Sequence, residues 1–178
     1  MSGQLSRRFT RFPFHVCAAL LSAALMLAST SASAQVQTLT GGTAANSSLQ
    51  QLATTGGTYM GPGTGYLTDP GNDTTGANGV AVPVLSGTHL ANLAVHLAGA
   101  AGNDGSSGYN FAVCVTHGGV TSCPSTGVAC SIIGSTSYCS DIAHSVAITA
   151  GDLVMIRAIA VGDASDKIAA KWSLQITP

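Results

Sequence analysis

Glutamate is absent from the 178 residues, and only 7% of the chain is charged. Helical soluble domains draw on Glu, Lys, Arg and Leu for propensity and for surface pairs one turn apart. Scarcity of the charged members of that set disfavours helices. Cations are scarcer still beyond residue 34, where only Arg157, Lys167 and Lys171 remain. They face seven aspartates, three cations against seven carboxylates, for a net charge of −4. So few cations exclude nucleic-acid binding by phosphate neutralisation. They also leave little to hold an anionic membrane surface. The Gly61-Pro62-Gly63-Thr64-Gly65 stretch lacks the lysine and the following helix of a phosphate loop, so it reads as a loop.

What is present begins with an export signal. Arg7, Arg8 and Arg11 precede an uncharged apolar run over residues 16–28, and Ala32-Ser33-Ala34 has the small-x-small form of a cleavage site. This order predicts a signal peptide over residues 1–34, with Gln35 as the first mature residue. The apolar run is shorter than the roughly 20 residues that cross a bilayer, so no membrane insertion is expected after cleavage. Ser6-Arg7-Arg8-Phe9 matches a twin-arginine signal only in part. Cys17 sits inside the apolar run and leaves with the signal. The expected destination is extracellular or periplasmic. Residues 35–178 then suit one domain with a substantial core.

Gly, Ala, Ser, Thr and Val dominate the mature chain. Residues 35–56 read as a flexible leader or, near residues 36–39, an edge strand. A β-sandwich domain is expected over 57–178. Val80, Val82 and Val84 alternate, and Pro83 confines that run to an edge. Leu93, Val95 and Leu97 alternate, as do Tyr109, Phe111, Val113 and Val115. Further runs begin at Val146 and Leu153, and Trp172, Leu174 and Ile176 close the chain. At least seven short strands with turns between them predict an all-β antiparallel sandwich or jelly roll. Residues 88–101 also fit an amphipathic helix, because Leu90, Leu93 and Leu97 share helical spacing.

Four cysteines survive processing: Cys114, Cys123, Cys130 and Cys139. An even count in an oxidising compartment implies disulfides. A hairpin turning on Gly118-Gly119 sets Cys114 opposite Cys123. One turning on Gly134-Ser135 sets Cys130 opposite Cys139. Both pairs fall at non-hydrogen-bonded sites, where Cα atoms lie about 4.5 Å apart, within disulfide reach. Two disulfide-stapled hairpins are therefore predicted. Cys123–Cys130 is disfavoured, because it places Pro124 in a strand position. A zinc set drawn from Cys114, His117, Cys139 and His144 matches no familiar ligand spacing and competes with oxidation.

Other candidates are weaker. Asp69, Asn72 and Asp73 form an oxygen-rich loop of calcium-binding type without EF-hand spacing, and Asn103-Asp104 is another; both also suit turns. Asp163 and Asp166, with Lys167, form a loop pair that acid–base hydrolysis would use. His89 and His96 are seven apart, which on a regular strand points them to opposite faces. No cofactor is indicated, and no catalytic residue is assigned. Carbohydrate binding would need exposed rings from Tyr59, Tyr66, Tyr109 or Trp172.

Several motifs carry a resemblance: Pro83-Val84-Leu85-Ser86-Gly87-Thr88, Leu93-Ala94-Val95, Ala129-Cys130-Ser131-Ile132 with Cys139-Ser140-Asp141, Ala150-Gly151-Asp152-Leu153-Val154, and Trp172-Ser173-Leu174. Over about residues 80–178 the chain is similar to a recurrent secreted β-sandwich module of bacteria. That module resembles the C1q/TNF-like jelly roll at the ends of collagen-like surface proteins. The resemblance implies a trimer-prone extracellular binding or structural head. The chain departs from the pattern by having no Gly-X-Y stalk. The expected function is a non-enzymatic interaction or structural module, open to self-association as a homotrimer, with an extracellular partner or a glycan. Carbohydrate binding and aspartate-based hydrolysis are the alternatives.

Overall fold

A computed structural model describes residues 36–43, 52, 57–63, 66–69, 81–85, 89–164 and 168–178. All of them fall in the compact unit Ala34–Pro178. The strands in chain order are β1 (Gln37–Gly42), β2 (Gly57–Met60), β3 (Tyr66–Asp69), β4 (Val82–Pro83), β5 (His89–Leu97) and β6 (Gly108–His117). They continue as β7 (Val120–Ser122), β8 (Ala129–Ile133), β9 (Tyr138–Ala147), β10 (Leu153–Val161) and β11 (Ala170–Thr177). No helix occurs among the described residues.

Every strand ladder is antiparallel. One sheet runs β1-β11-β5-β9. The other runs β3-β2-β10-β6-β7, with β4 on β10 and β8 on β6. Eight strands pair in nested fashion: β1 with β11, β2 with β10, β5 with β9, and β6 with β8. The ladders β11–β5 and β10–β6 then knit these pairs into the two sheets. The segment read as leader or edge strand thus supplies β1, an edge of the four-stranded sheet.

Alternation decides what each sheet buries. Trp172, Leu174 and Ile176 on β11 face Tyr109, Phe111 and Val113 on β6, with Val154 and Ile156 on β10, in one apolar core. Trp172 is a core residue, 3% exposed. The Tyr109 and Phe111 rings lie 6.3 Å apart and tilted, within the range of favourable aromatic pairs.

β5 departs from alternation. Leu90, Leu93, Val95 and Leu97 are all buried, although Leu90 and Leu93 differ by three. Asn92, at φ 54°, takes up the extra residue. Ala91 faces Gln175 and Ala94 faces Ser173, so Asn92 and Leu93 together oppose Leu174. This is a β-bulge, and it inverts the side-chain parity of one half of the strand. The bulge accounts for the helix-like spacing read over residues 88–101, of which His89–Leu97 form strand β5 and none of the described residues is helical. It also overturns the expectation for His89 and His96. Both are exposed and occupy the outer face, because the seven-residue separation contains the slip.

On the other side of β5 the slip is larger. Ala91 faces Ser145 and Leu93 faces Asp141, so residues 142–144 leave the ladder opposite Asn92. Asn92 Nδ2 donates to Gln175 Oε1 at 2.6 Å and ties the bulge to β11.

Asn tolerates the left-handed region where a β-branched residue does not. Asn92→Val should therefore lower stability by about 1–3 kcal/mol, and Asn92→Gly by less. Urea unfolding of the two variants against the parent measures the difference.

Candidate functional sites

Both expected disulfides form. The β6–β7 hairpin turns on Gly118 and Gly119, at φ 56° and 85°, a conformation that glycine adopts without a Cβ clash. His117 faces Val120, Thr116 faces Thr121, and Val115 faces Ser122. The next pair outward is Cys114–Cys123, with Cα atoms 4.1 Å apart. Cys114 points to the outer face of its sheet and is buried against Tyr59 and Met155.

Cys130 joins Cys139 around the Gly134-Ser135 turn, with Cα atoms 5.8 Å apart. The ladder expected between them is not the one observed. Cys130 on β8 pairs with Phe111 of β6, and Cys139 on β9 pairs with Val95 of β5. The turn is held by Thr136, whose hydroxyl donates to the Ile133 carbonyl at 2.7 Å. Its arms then part into different sheets. The bond ties the two layers of the sandwich where the sequence suggested a staple within one. All four cysteines are thus committed to disulfides, which removes the zinc set. Two disulfides are consistent with an oxidising extracellular or periplasmic location.

Two aspartates each hold a histidine. Asp152 accepts the Thr149 amide at 2.8 Å and His117 Nδ1 at 2.6 Å. Its side chain is 7% exposed, whereas that of His117 is 74% exposed. These hydrogen bonds, the Thr149 amide foremost, hold the Asp152 carboxyl below its ordinary value. Asp141 is similarly buried. Burial pushes its carboxyl up, but hydrogen bonds from the Ala129 amide, the His144 ring and the Ala143 and His144 amides outweigh this, and the net direction is down. Asp141 pins the three residues that leave the β9 ladder, through the amides of Ala143 and His144 at 3.0 and 3.1 Å. His117 also borders an open apolar concavity of about 560 Å3 between Val115, Val120, Val146 and Ile148. The sequence suggested these histidines only within a zinc set disfavoured on spacing, and it gave no sign of the pairs, since Asp152 and His117 lie 35 positions apart.

The remaining candidates separate. Asp104 Oδ1 accepts the Ser106 and Ser107 amides and the Ser106 hydroxyl. Hydrogen bonds from Ser107 and Ser106 hold that carboxyl at about 2. It is a turn cap. Asp163 sits on an exposed loop, where its amide donates to Ser107 Oγ at 2.8 Å. Asp166, Lys167, Asn72, Asp73 and the side chain of Asp69 lie outside the described residues, as do residues 1–34. Of the rings named for glycan binding, Tyr59, Tyr109 and Trp172 are buried, and the Tyr66 side chain is outside the described residues. The exposed ring is Tyr138, at 55%.

Tyr138 belongs to a surface that sequence reasoning did not single out. β9 is the outer strand of its sheet. Tyr138 and Ile142, the latter 81% exposed, both lie on it. No protein family, no curated protein and no solved structure matches this chain.

Two outcomes follow. Replacing either cysteine pair with alanine should lower stability by about 2–4 kcal/mol, since each closes a short loop; denaturant midpoints of the two double variants check this. A carboxyl held below its unfolded value stabilises the fold above that value, and the contribution is lost as pH falls through the folded value. The stability gap between the parent and Asp152→Asn should therefore be full near neutrality and close below about pH 4. A gap that is the same at every pH would contradict the role given to Asp152.

Proposed function

We propose that this chain is an exported, non-enzymatic interaction module that self-associates through β9 and the outer face of the β1-β11-β5-β9 sheet. The carrying observation is the exposure of Tyr138 and Ile142 on one unpaired edge strand, in a fold that buries most other large apolar side chains. Edge strands offer unpaired backbone groups to another chain, and clustered exposed apolar groups mark interaction surfaces. The adjoining face favours association for a second reason. Thr38, Thr40, Ser173, Gln175, Ala94 and Ser140 are small or neutral, so covering them costs little desolvation of charge, while Lys171, exposed in the cross-strand row of His96 and Tyr138, is the cation that such an interface must leave in water.

The nested pairing of eight strands supports reading the sandwich as a jelly roll of the C1q/TNF-like kind. In such a fold a ribbon of paired strands wraps on itself, first with last and inner with inner. That reading makes a homotrimer the expected stoichiometry. The two disulfides support secretion, because such bonds persist in oxidising compartments.

Light scattering on the secreted chain and on a Tyr138→Ser/Ile142→Ser variant tests the proposal. The parent is expected to run as a trimer. The variant is expected to run as a folded monomer whose unfolding midpoint does not change with protein concentration, since both side chains are exposed in the isolated chain. A parent that stays monomeric at every concentration would overturn it.

A further inference from the structure

The outer face of the other sheet carries a cation that has no ion-pair partner among the described residues. Arg157 on β10 lines a cleft of about 300 Å3 with Asn110, Ser125 and Ser131, among others. It points away from the core, since Ile156 and Ala158 on either side of it face inward. Arg157 forms no ion pair among the described residues, and its Nε is buried with no hydrogen-bond partner there. A guanidinium cannot shed its proton at any ordinary pH. A buried N–H left unpaired is costly. The fold nevertheless keeps this group in a cleft whose described lining residues include no acidic side chain.

Its neighbours leave room and add donors. Ala112 pairs with Arg157 across β10–β6, and Ala129 pairs with Ala112 across β6–β8. Two methyl groups in a row leave space along the guanidinium's side of the sheet. Ser131 Oγ donates to Asn110 Oδ1 at 2.7 Å. That bond occupies the Asn110 carbonyl and leaves its NH2 group as the free donor. The cleft thus offers a guanidinium, an amide NH2 and the Ser125 hydroxyl, beside apolar carbon.

We propose that this cleft binds a ligand through a single carboxylate, with the remainder of the ligand no larger than a monosaccharide. A guanidinium and a carboxylate match in geometry, with two parallel N–H···O bonds. They also match in charge. A phosphate would bring about two negative charges to a partly buried site with one cation, leaving one uncompensated. The volume is at the small end for ligand pockets, which run from roughly 300 to 1,000 Å3. The site lies on the opposite sheet from β9, so it stands independently of the self-association proposed above.

Titration of the secreted chain with D-glucuronate, D-glucose and inorganic phosphate, followed by amide NMR shifts, tests the proposal. Saturable binding of glucuronate is expected, with shifts centred on Asn110, Ala112, Ser131 and Arg157. Glucose and phosphate should bind at least about tenfold more weakly. Arg157→Met should weaken glucuronate binding by a similar factor. Asn110→Asp should do the same by supplying a carboxylate of its own, and it keeps the test open should Arg157→Met fail to fold. Glucuronate binding unaltered in Asn110→Asp and in folded Arg157→Met would overturn the proposal. So would phosphate binding tighter than glucuronate, or no saturable glucuronate binding.

Discussion

The four-stranded sheet is organised around one backbone position. Asn92 sits at φ 54° in β5, which has β11 on one side and β9 on the other. One residue out of alternation would expose half of a regular strand's apolar set. Here it does the opposite. Leu90 lies on one side of the slip and Leu93, Val95 and Leu97 on the other, and all four reach the core. Fully burying a side chain of this size contributes about 1.5–3 kcal/mol, which outweighs the cost of one residue in an uncommon conformation. The same slip forces both neighbours to adjust. β11 presents one residue opposite two, and β9 releases three. Asp141 then secures the released segment, and Ile142 is left in solvent as a consequence.

The two sheets carry different surface chemistry. The outer face around β9 is edged by an exposed tyrosine and isoleucine and carries Lys171 as its cation among the described residues. On the outer face around β10, Cys114, Tyr59 and Met155 are buried together, and beside them Arg157 lines a cleft. The Cys130–Cys139 bond fixes the geometry between these surfaces at one corner of the sandwich. With so little charge in the chain, ion pairing among the described residues comes down to His117 with Asp152 and His144 with Asp141. Asp104, Asp141 and Asp152 accept backbone N–H groups. Arg157 has no ion-pair partner among the described residues.

Much of this was legible from residue order, and the failures share one cause. The all-β class followed from missing helix formers and from alternation. Cys114–Cys123 was legible because Gly118-Gly119 sets a register over a few residues, where local geometry suffices. Cys130–Cys139 was legible as a pair, but not as a bridge between layers. Whether the arms of a tight turn stay together depends on β5 and β6, which compete for them from elsewhere in the chain. β5 was legible as a strand from Leu93, Val95 and Leu97, and the bulge at Asn92 left a helical spacing open beside that reading because a period of three is common to both. Asp152 with His117, and Arg157 with Asn110 and Ser131, meet only through ladders between distant strands. A signal for Arg157 was present: it is a lone cation in the apolar run Leu153–Val161.

The proposed association through β9 is tested most directly by hydrogen exchange of the parent chain at several concentrations. Exchange at the β9 amides, residues 138–147, should slow as concentration rises, while the buried ladder β10–β6 stays unchanged. Slowing confined to β9 and the adjoining outer face is the result expected of an interface there. Exchange at β9 that is independent of concentration, in a chain that light scattering shows to be assembled, would contradict it and place the interface elsewhere.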